Sequence, residues 1–210
     1  MPLPMVHLET AHAAAEGLSV KDLPAFYLGS IAPDGVHMRE NPEPDAKIRS
    51  HLGTRRPDDL SPVAEFLQRY REAECPDYYL GYAVHVLTDA WWNELVYRPY
   101  TKCYEADPSP VQERSQAYYN DTDQIDLLLY RTFPRREEIW ALLEQARGRD
   151  VGDILSAEEA GLWNRRTLAW YDCPRQDYLP VRYISEQGVR EFIREAAKRS
   201  AAFVEQARTN

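Results

Sequence analysis

A histidine and an aspartate lie four residues apart in the most apolar segment of the sequence. Between Tyr78 and Trp92 the strongly polar side chains are His85, Thr88 and Asp89. This spacing puts His85 and Asp89 on one face of a helix, and burying both costs several kcal/mol unless something compensates. Three arrangements would compensate: hydrogen bonds to each other and to a nearby Arg, a metal-free acid–base pair, or shared ligation of a metal ion.

Further candidate ligands lie near the start of the chain. Asp34 follows Pro33 and precedes Gly35, so its carboxylate would project from a rigid corner that suits a metal ligand, although Asp is also common in ordinary turns. His12 lies about 140° around a helix from His7, and we expect it at the surface. His37, three residues after Asp34, is an alternative ligand or a contact of one. The first 51 residues hold four of the five histidines: His7, His12, His37 and His51.

Helical patterning runs through almost the whole sequence and must position these side chains. The polar, Pro-rich segment 39–59 is predicted to be mostly loop, residues 153–171 are mixed, and strand-like alternation is confined to 178–184, where Pro180 weakens it. We therefore predict a single all-α domain over 1–210, a helical bundle in which residues 131–210 form an extension that packs on residues 1–130. Caps, stops and apolar periodicity predict helices that begin near His7, Pro24, Ser61 (the expected cap), Tyr78, Ser109, Arg135 and Ser185.

Charge, apolar runs and cysteine spacing argue against nucleic-acid binding, membrane insertion and secretion. The net charge of −9 argues against nucleic acid, and no apolar run reaches the roughly 20 residues that span a bilayer. The opening "MPLPMVHLET" lacks the features of a secretory signal. The three widely spaced cysteines form neither a zinc motif nor a disulfide framework. We predict a cytoplasmic protein without stable membrane insertion; its oligomeric state stays open.

Four motifs, in order, resemble the zinc-dependent phospholipase C-like proteins: "MPLPMVHL", "FYLGSIAPD", "IRSHL" and "GYAVHVLTDAWW". The resemblance covers about residues 1–130 and ends with "YYNDTDQIDLLLY". It implies an all-helical fold with a metal site that lies between the helices of residues 1–130. One ion would be held by Asp34, His51, His85 and Asp89, and a second by His7 with Asp89 as a bridge. Such imidazole and carboxylate ligands suit Zn²⁺ or another divalent transition metal.

The sequence also departs from that family. The secreted phospholipases have two further His ligands and a Glu after the equivalent helix, whereas no histidine follows His85 here. The resemblance therefore implies one or two ions rather than three. Asp121, Asp123 and Asp126 could supply carboxylates in place of the missing ligands, although acidic residues in such a pattern more often form a solvated helix face.

The implied reaction is hydrolysis of a phosphate ester, in particular a phosphodiester. A divalent ion makes hydroxide available near neutral pH and polarises a phosphoryl oxygen. Asp34 would accept the proton of the attacking water, either in addition to binding the ion or instead of binding it. The substrate would be a small phosphoester or a phospholipid-derived compound. A non-catalytic helical protein with a structural or vestigial metal is the main alternative, and a metal-free interaction module also stays open. An HD-type phosphohydrolase is disfavoured because the chain contains no His-Asp dipeptide.

Overall fold

Ten α-helices account for most of the computed structural model, which describes residues 2–53, 58–173 and 177–209. The prediction of an all-α, single-domain fold is confirmed over these residues, where β-pairing is limited to an isolated bridge between Val151 and Leu155. A 3₁₀ segment, Ala32–Met38, follows α2, and a π-helical turn, Asn93–Tyr97, joins α5 to α6. The helices are Pro4–Ala15 (α1), Leu23–Gly29 (α2), Ala46–Ser50 (α3), Ser61–Arg69 (α4), Pro76–Trp92 (α5), Arg98–Ala106 (α6), Val111–Thr132 (α7), Arg136–Gln145 (α8), Ala157–Ala169 (α9) and Glu186–Thr209 (α10).

Local sequence signals explain most of the helix starts. Proline lies in the first turn of α1, α2, α4, α5 and α6, where its missing N–H costs no intrahelical hydrogen bond. Ser156 and Glu159 form a reciprocal capping box at the start of α9. The expectation that Ser61 caps α4 is wrong, because Ser61 is already helical and its N–H and hydroxyl both donate to Asp59.

Two other segments are mostly irregular. The prediction that 39–59 is mostly loop is confirmed over its described residues, although the segment also contains the short helix α3; residues 54–57 fall outside the described part of the chain. The candidate strand 178–184, weakened by Pro180, is irregular in the structure. Its backbone N–H groups from residues 182–184 donate to the Asp121 carboxylate, so a side chain takes the place of a partner strand.

The central helix of the bundle is α5, which contacts α1, α2, α4 and α10. Its closest neighbour is α2, because Gly29 and Gly81 let the two backbones touch: a Cβ at Gly81 would lie 2.0 Å from the Phe26 carbonyl oxygen. The buried core is continuous from α1 to α10 and includes Leu143 and Val204 of the C-terminal part. None of the described helices combines the length and the apolar character needed to cross a membrane.

Candidate metal centre

The structure brings all five predicted ligand side chains together, from α1, the 3₁₀ segment, the residue after α3, and α5. His51 Nε2 lies 3.2 Å from Asp89 Oδ2 and 3.4 Å from His85 Nε2. His7 Nε2 lies 3.6 Å from Asp89 Oδ1. Asp34 Oδ2 lies 4.0 Å from His85 Nε2, and Asp34 Oδ1 lies 3.7 Å from His51 Nε2. Two triads, His7–His85–Asp89 and Asp34–His51–His85, have ligand atoms within 4.8 Å of one another and could each hold a metal ion.

Backbone carbonyl groups orient two of the imidazoles. His85 Nδ1 lies 2.8 Å from the Ser30 carbonyl oxygen, and His51 Nδ1 lies 2.9 Å from the Lys47 carbonyl oxygen. A carbonyl oxygen only accepts, so each Nδ1 carries the proton and donates it. The Nε2 lone pairs therefore face the centre of the cluster, which is the arrangement that protein ligands of metals usually show.

Several buried polar atoms in the cluster have no hydrogen-bond partner among the described residues. They are both ring nitrogens of His7, Oδ1 of Asp34 and Oδ1 of Asp89. The His7 ring also lies face to face with the His85 ring, with centroids 3.8 Å apart. An unpaired buried polar group costs about 1–3 kcal/mol, so this cluster is costly as it stands. A cation among these atoms would satisfy most of them at once.

Burial keeps two of the histidines neutral. It lowers the pKa of His7 to about 3, with a further contribution from the neighbouring His85, and it also lowers the pKa of His85. His51 differs: burial lowers its pKa, but the hydrogen bond and the charge of Asp89 outweigh burial and raise it. Neutral imidazole is the form that binds metal, so the raised pKa of His51 makes metal binding weaken as the pH falls.

Both carboxylates are ionised at neutral pH. Burial raises the pKa of Asp89, but the hydrogen bond and charge of His51 reverse the shift, and the pKa falls to about 2. For Asp34, burial is likewise outweighed, first by the interaction with His37 and then by the charges of the site histidines, and its pKa lies well below the usual range. The cluster thus offers two anionic oxygen ligands together with imidazole nitrogens, a donor set that fits zinc.

The remaining histidines lie outside the cluster. His37 is exposed, with Nε2 3.6 Å from Asp34 Oδ1, so it contacts a predicted ligand. The expectation that His12 is a surface residue is wrong. Its ring is half-buried: His12 Nδ1 lies 2.9 Å from the Tyr27 hydroxyl oxygen, and the ring packs edge-on against Phe133. These two side chains cover the His12 side of α1.

The acidic residues of α7 do not form a solvated face, contrary to the preferred interpretation of the sequence. Asp121 and Asp126 are buried and Asp123 is half-buried. Asp126 accepts hydrogen bonds from the Met5 N–H and the Tyr171 hydroxyl, while Asp121 holds the backbone of residues 182–184. Neither belongs to the groups of described side chains that could share an ion. Both therefore stabilise the fold through their hydrogen bonds.

Asp126 makes stability depend on pH. Burial raises its pKa to about 7, although the bonds from Tyr171 and Met5 oppose this shift. The folded protein therefore holds this proton more tightly than the unfolded chain; the stabilisation is complete below about pH 4 and is lost as the pH rises through 7. Asp126→Asn stays uncharged at every pH. From pH 5 to pH 8, the free energy of unfolding of wild type should therefore fall by about 2–3 kcal/mol relative to that of the variant. Urea unfolding at both pH values measures this difference.

Asp172→Asn, at an exposed position, is the matched control and should follow wild type at both pH values. Parallel stability curves for wild type and Asp126→Asn would show that the Asp126 carboxyl group does not titrate in this range.

An open cleft of about 710 Å³ reaches the cluster at His51 and Asp89. The residues that line this cleft were not predicted from the sequence. Nothing in the sequence indicated Lys47, because α3 falls in a segment that was expected to be mostly loop. The tyrosines could have been found: residues 97, 100 and 104 are spaced three and four apart, which is typical of one face of a helix. Five tyrosines line the cleft: Tyr97, Tyr100, Tyr104, Tyr118 and Tyr119.

Fold and site together define a class of protein: an all-α bundle with a cluster of three imidazoles and two carboxylates, two of whose members line an aromatic cleft. No protein-family model, curated protein or solved structure matches this chain. Its function is therefore inferred from the geometry of the cluster and from the resemblance of its motifs.

Proposed function

We propose that this protein is a metal-dependent hydrolase of phosphate esters, in particular phosphodiesters, with zinc or another divalent transition metal. The observation that carries the proposal is the convergence of five ligand-type side chains, several with unpartnered buried atoms, in a cluster that an open cleft reaches at His51 and Asp89. His85 belongs to both triads, and one ring nitrogen binds one ion, so the arrangement favours a single ion over two.

Charge favours an anionic substrate. A divalent ion would balance Asp34 and Asp89, and Lys47, with Nζ 3.7 Å from Asp34 Oδ1, would remain as an unbalanced cation beside the cleft. Positive charge of this kind attracts a phosphate and stabilises the negative charge that develops on it. Bound there, the ion would supply Lewis acidity and a more acidic water. Asp34 would accept the proton of that water.

The test is hydrolysis of bis(4-nitrophenyl) phosphate and 4-nitrophenyl phosphate by zinc-loaded protein. Asp34→Asn should reduce kcat/KM at least about 100-fold, because it removes the general base and one anionic ligand. His12→Asn, outside the cluster, should retain activity. Metal content must be measured for every variant, so that lost binding is separated from lost chemistry.

Absence of turnover on a wider phosphoester panel, with the ion fully bound, would overturn the proposal. A bound and stabilising ion would then be structural, as in the alternative that the sequence left open. An open cleft at His51 and Asp89 supports the catalytic interpretation, because catalytic sites keep a position for water or substrate.

A cytoplasmic location also belongs to the proposal. Within the described residues Cys75, Cys103 and Cys173 are all free thiols, as expected in a reducing compartment. The net charge of −9 supports a small substrate rather than a nucleic acid.

A further inference from the structure

The wall of the cleft is an interlocked set of aromatic rings. The rings of Tyr97 and Tyr100 have centroids 5.6 Å apart, and that of Tyr118 lies 4.6 Å from Tyr100. Tyr183, from the segment held by Asp121, supports Tyr100 from behind with centroids 5.4 Å apart. Tyr97 is 40% exposed and Tyr119 65% exposed, so both present ring surface at the cleft mouth. Rings fixed by one another lose little entropy when a flat ligand packs on them.

The end of the cleft at Lys47 would be cationic once a bound ion balances Asp34 and Asp89. Lys47 lines it beside His51 and lies 3.1 Å (Nζ) from His37 Nε2. The cleft therefore has two chemically distinct ends, one suited to an anion and one suited to a ring. Its volume, about 710 Å³, is within the usual range of small-molecule sites.

We propose that the cleft selects phosphoesters whose organic group carries an aromatic ring, with the phosphate at Lys47 and the ring on the tyrosine wall. This inference rests on the proposed function. An alkyl chain fits less well, because Ile48 is the one branched aliphatic side chain among the described residues that line the cleft. A quaternary ammonium group also fits less well, because Glu105, the carboxylate that lines the cleft beside Tyr104, is exposed to solvent, where a charge contact is screened.

Phosphonates test binding without turnover. Calorimetry on zinc-loaded protein would compare benzylphosphonate with n-heptylphosphonate and 2-(trimethylammonio)ethylphosphonate. Benzylphosphonate should bind about tenfold more tightly than either, the usual gain from aromatic packing. Equal affinities, or a preference for the alkyl or ammonium compound, would overturn the inference and leave the hydrolase proposal intact. Ring-selective binding without hydrolysis of any ester would overturn the hydrolase proposal alone.

Variants assign the preference to the two ends of the cleft. Tyr97→Leu with Tyr119→Leu changes exposed positions and should abolish the ring preference while methylphosphonate still binds as in wild type. Tyr70→Leu, whose ring stacks on Tyr79 on another part of the surface, is the control and should keep it. Lys47→Met should weaken all phosphonates about tenfold, a usual value for one charge-assisted contact. An unchanged preference in the double variant would overturn the assignment to the tyrosine wall.

Discussion

His85→Ala should abolish metal binding, and with it the stabilisation that the metal provides. Wild-type protein, purified without a histidine tag and loaded with zinc, should contain about one ion per chain. Binding at 1,000 times Kd contributes about 4 kcal/mol, which for a chain of this size raises Tm by roughly 10 °C. His85→Ala should contain no zinc and should unfold at the same temperature with and without it.

The reason lies in the position of His85. Its Nε2 belongs to both triads, and its Nδ1–H is fixed by the Ser30 carbonyl. Alanine therefore removes a ligand from either possible arrangement of the ion. Comparing each protein with and without metal cancels the separate cost of losing a buried imidazole.

His12→Ala is the matched control, because His12 lies on α1, as the candidate ligand His7 does, but contacts Tyr27 and Phe133 instead of the cluster. It should retain the ion and the metal-dependent rise in Tm. If wild type binds no metal after reloading, the cluster is structural and the hydrolase proposal fails.

Gly81→Ala should destabilise the protein by about 3 kcal/mol, near the upper end of the usual cost of overpacking. The new Cβ would lie 2.0 Å from the carbonyl oxygen of Phe26 and 2.9 Å from the Ser30 nitrogen. Both are backbone atoms, so a rotamer change cannot relieve the clash and α2 must move away from α5. Thermal unfolding should show Tm lower by roughly 10 °C.

The same substitution should weaken zinc binding, because the displaced backbone includes Ser30, whose carbonyl orients His85. Gly161→Ala in α9 is the control: its Cβ meets no atom closer than 3.8 Å, and alanine in a helix interior should stabilise slightly, by about 0.5–1 kcal/mol. Equal stability of the two variants would show that α2 and α5 are not held in this close contact.

Much of the fold was predictable from local sequence. Proline in the first turn of α5, the stop at Pro134 after α7 and the apolar periodicity of the long helices all act within a few residues. The same short range explains why His85 and Asp89 could be placed on one helix face. That His7, Asp34 and His51 would join them was expected only from the family resemblance, because no local pattern relates residues so far apart.

The sequence by itself determined the all-α class, most helix positions and the pairing of His85 with Asp89, because each depends on backbone preferences and spacing along one helix. Only the tertiary structure decided the burial of Asp121, whose partners lie 61 to 63 residues away. It also decided the tyrosine cleft and the place of Lys47 beside Asp34. Solvation and charge at these positions depend on which distant helices pack together. That packing depends on contacts throughout the core, and no single segment specifies it.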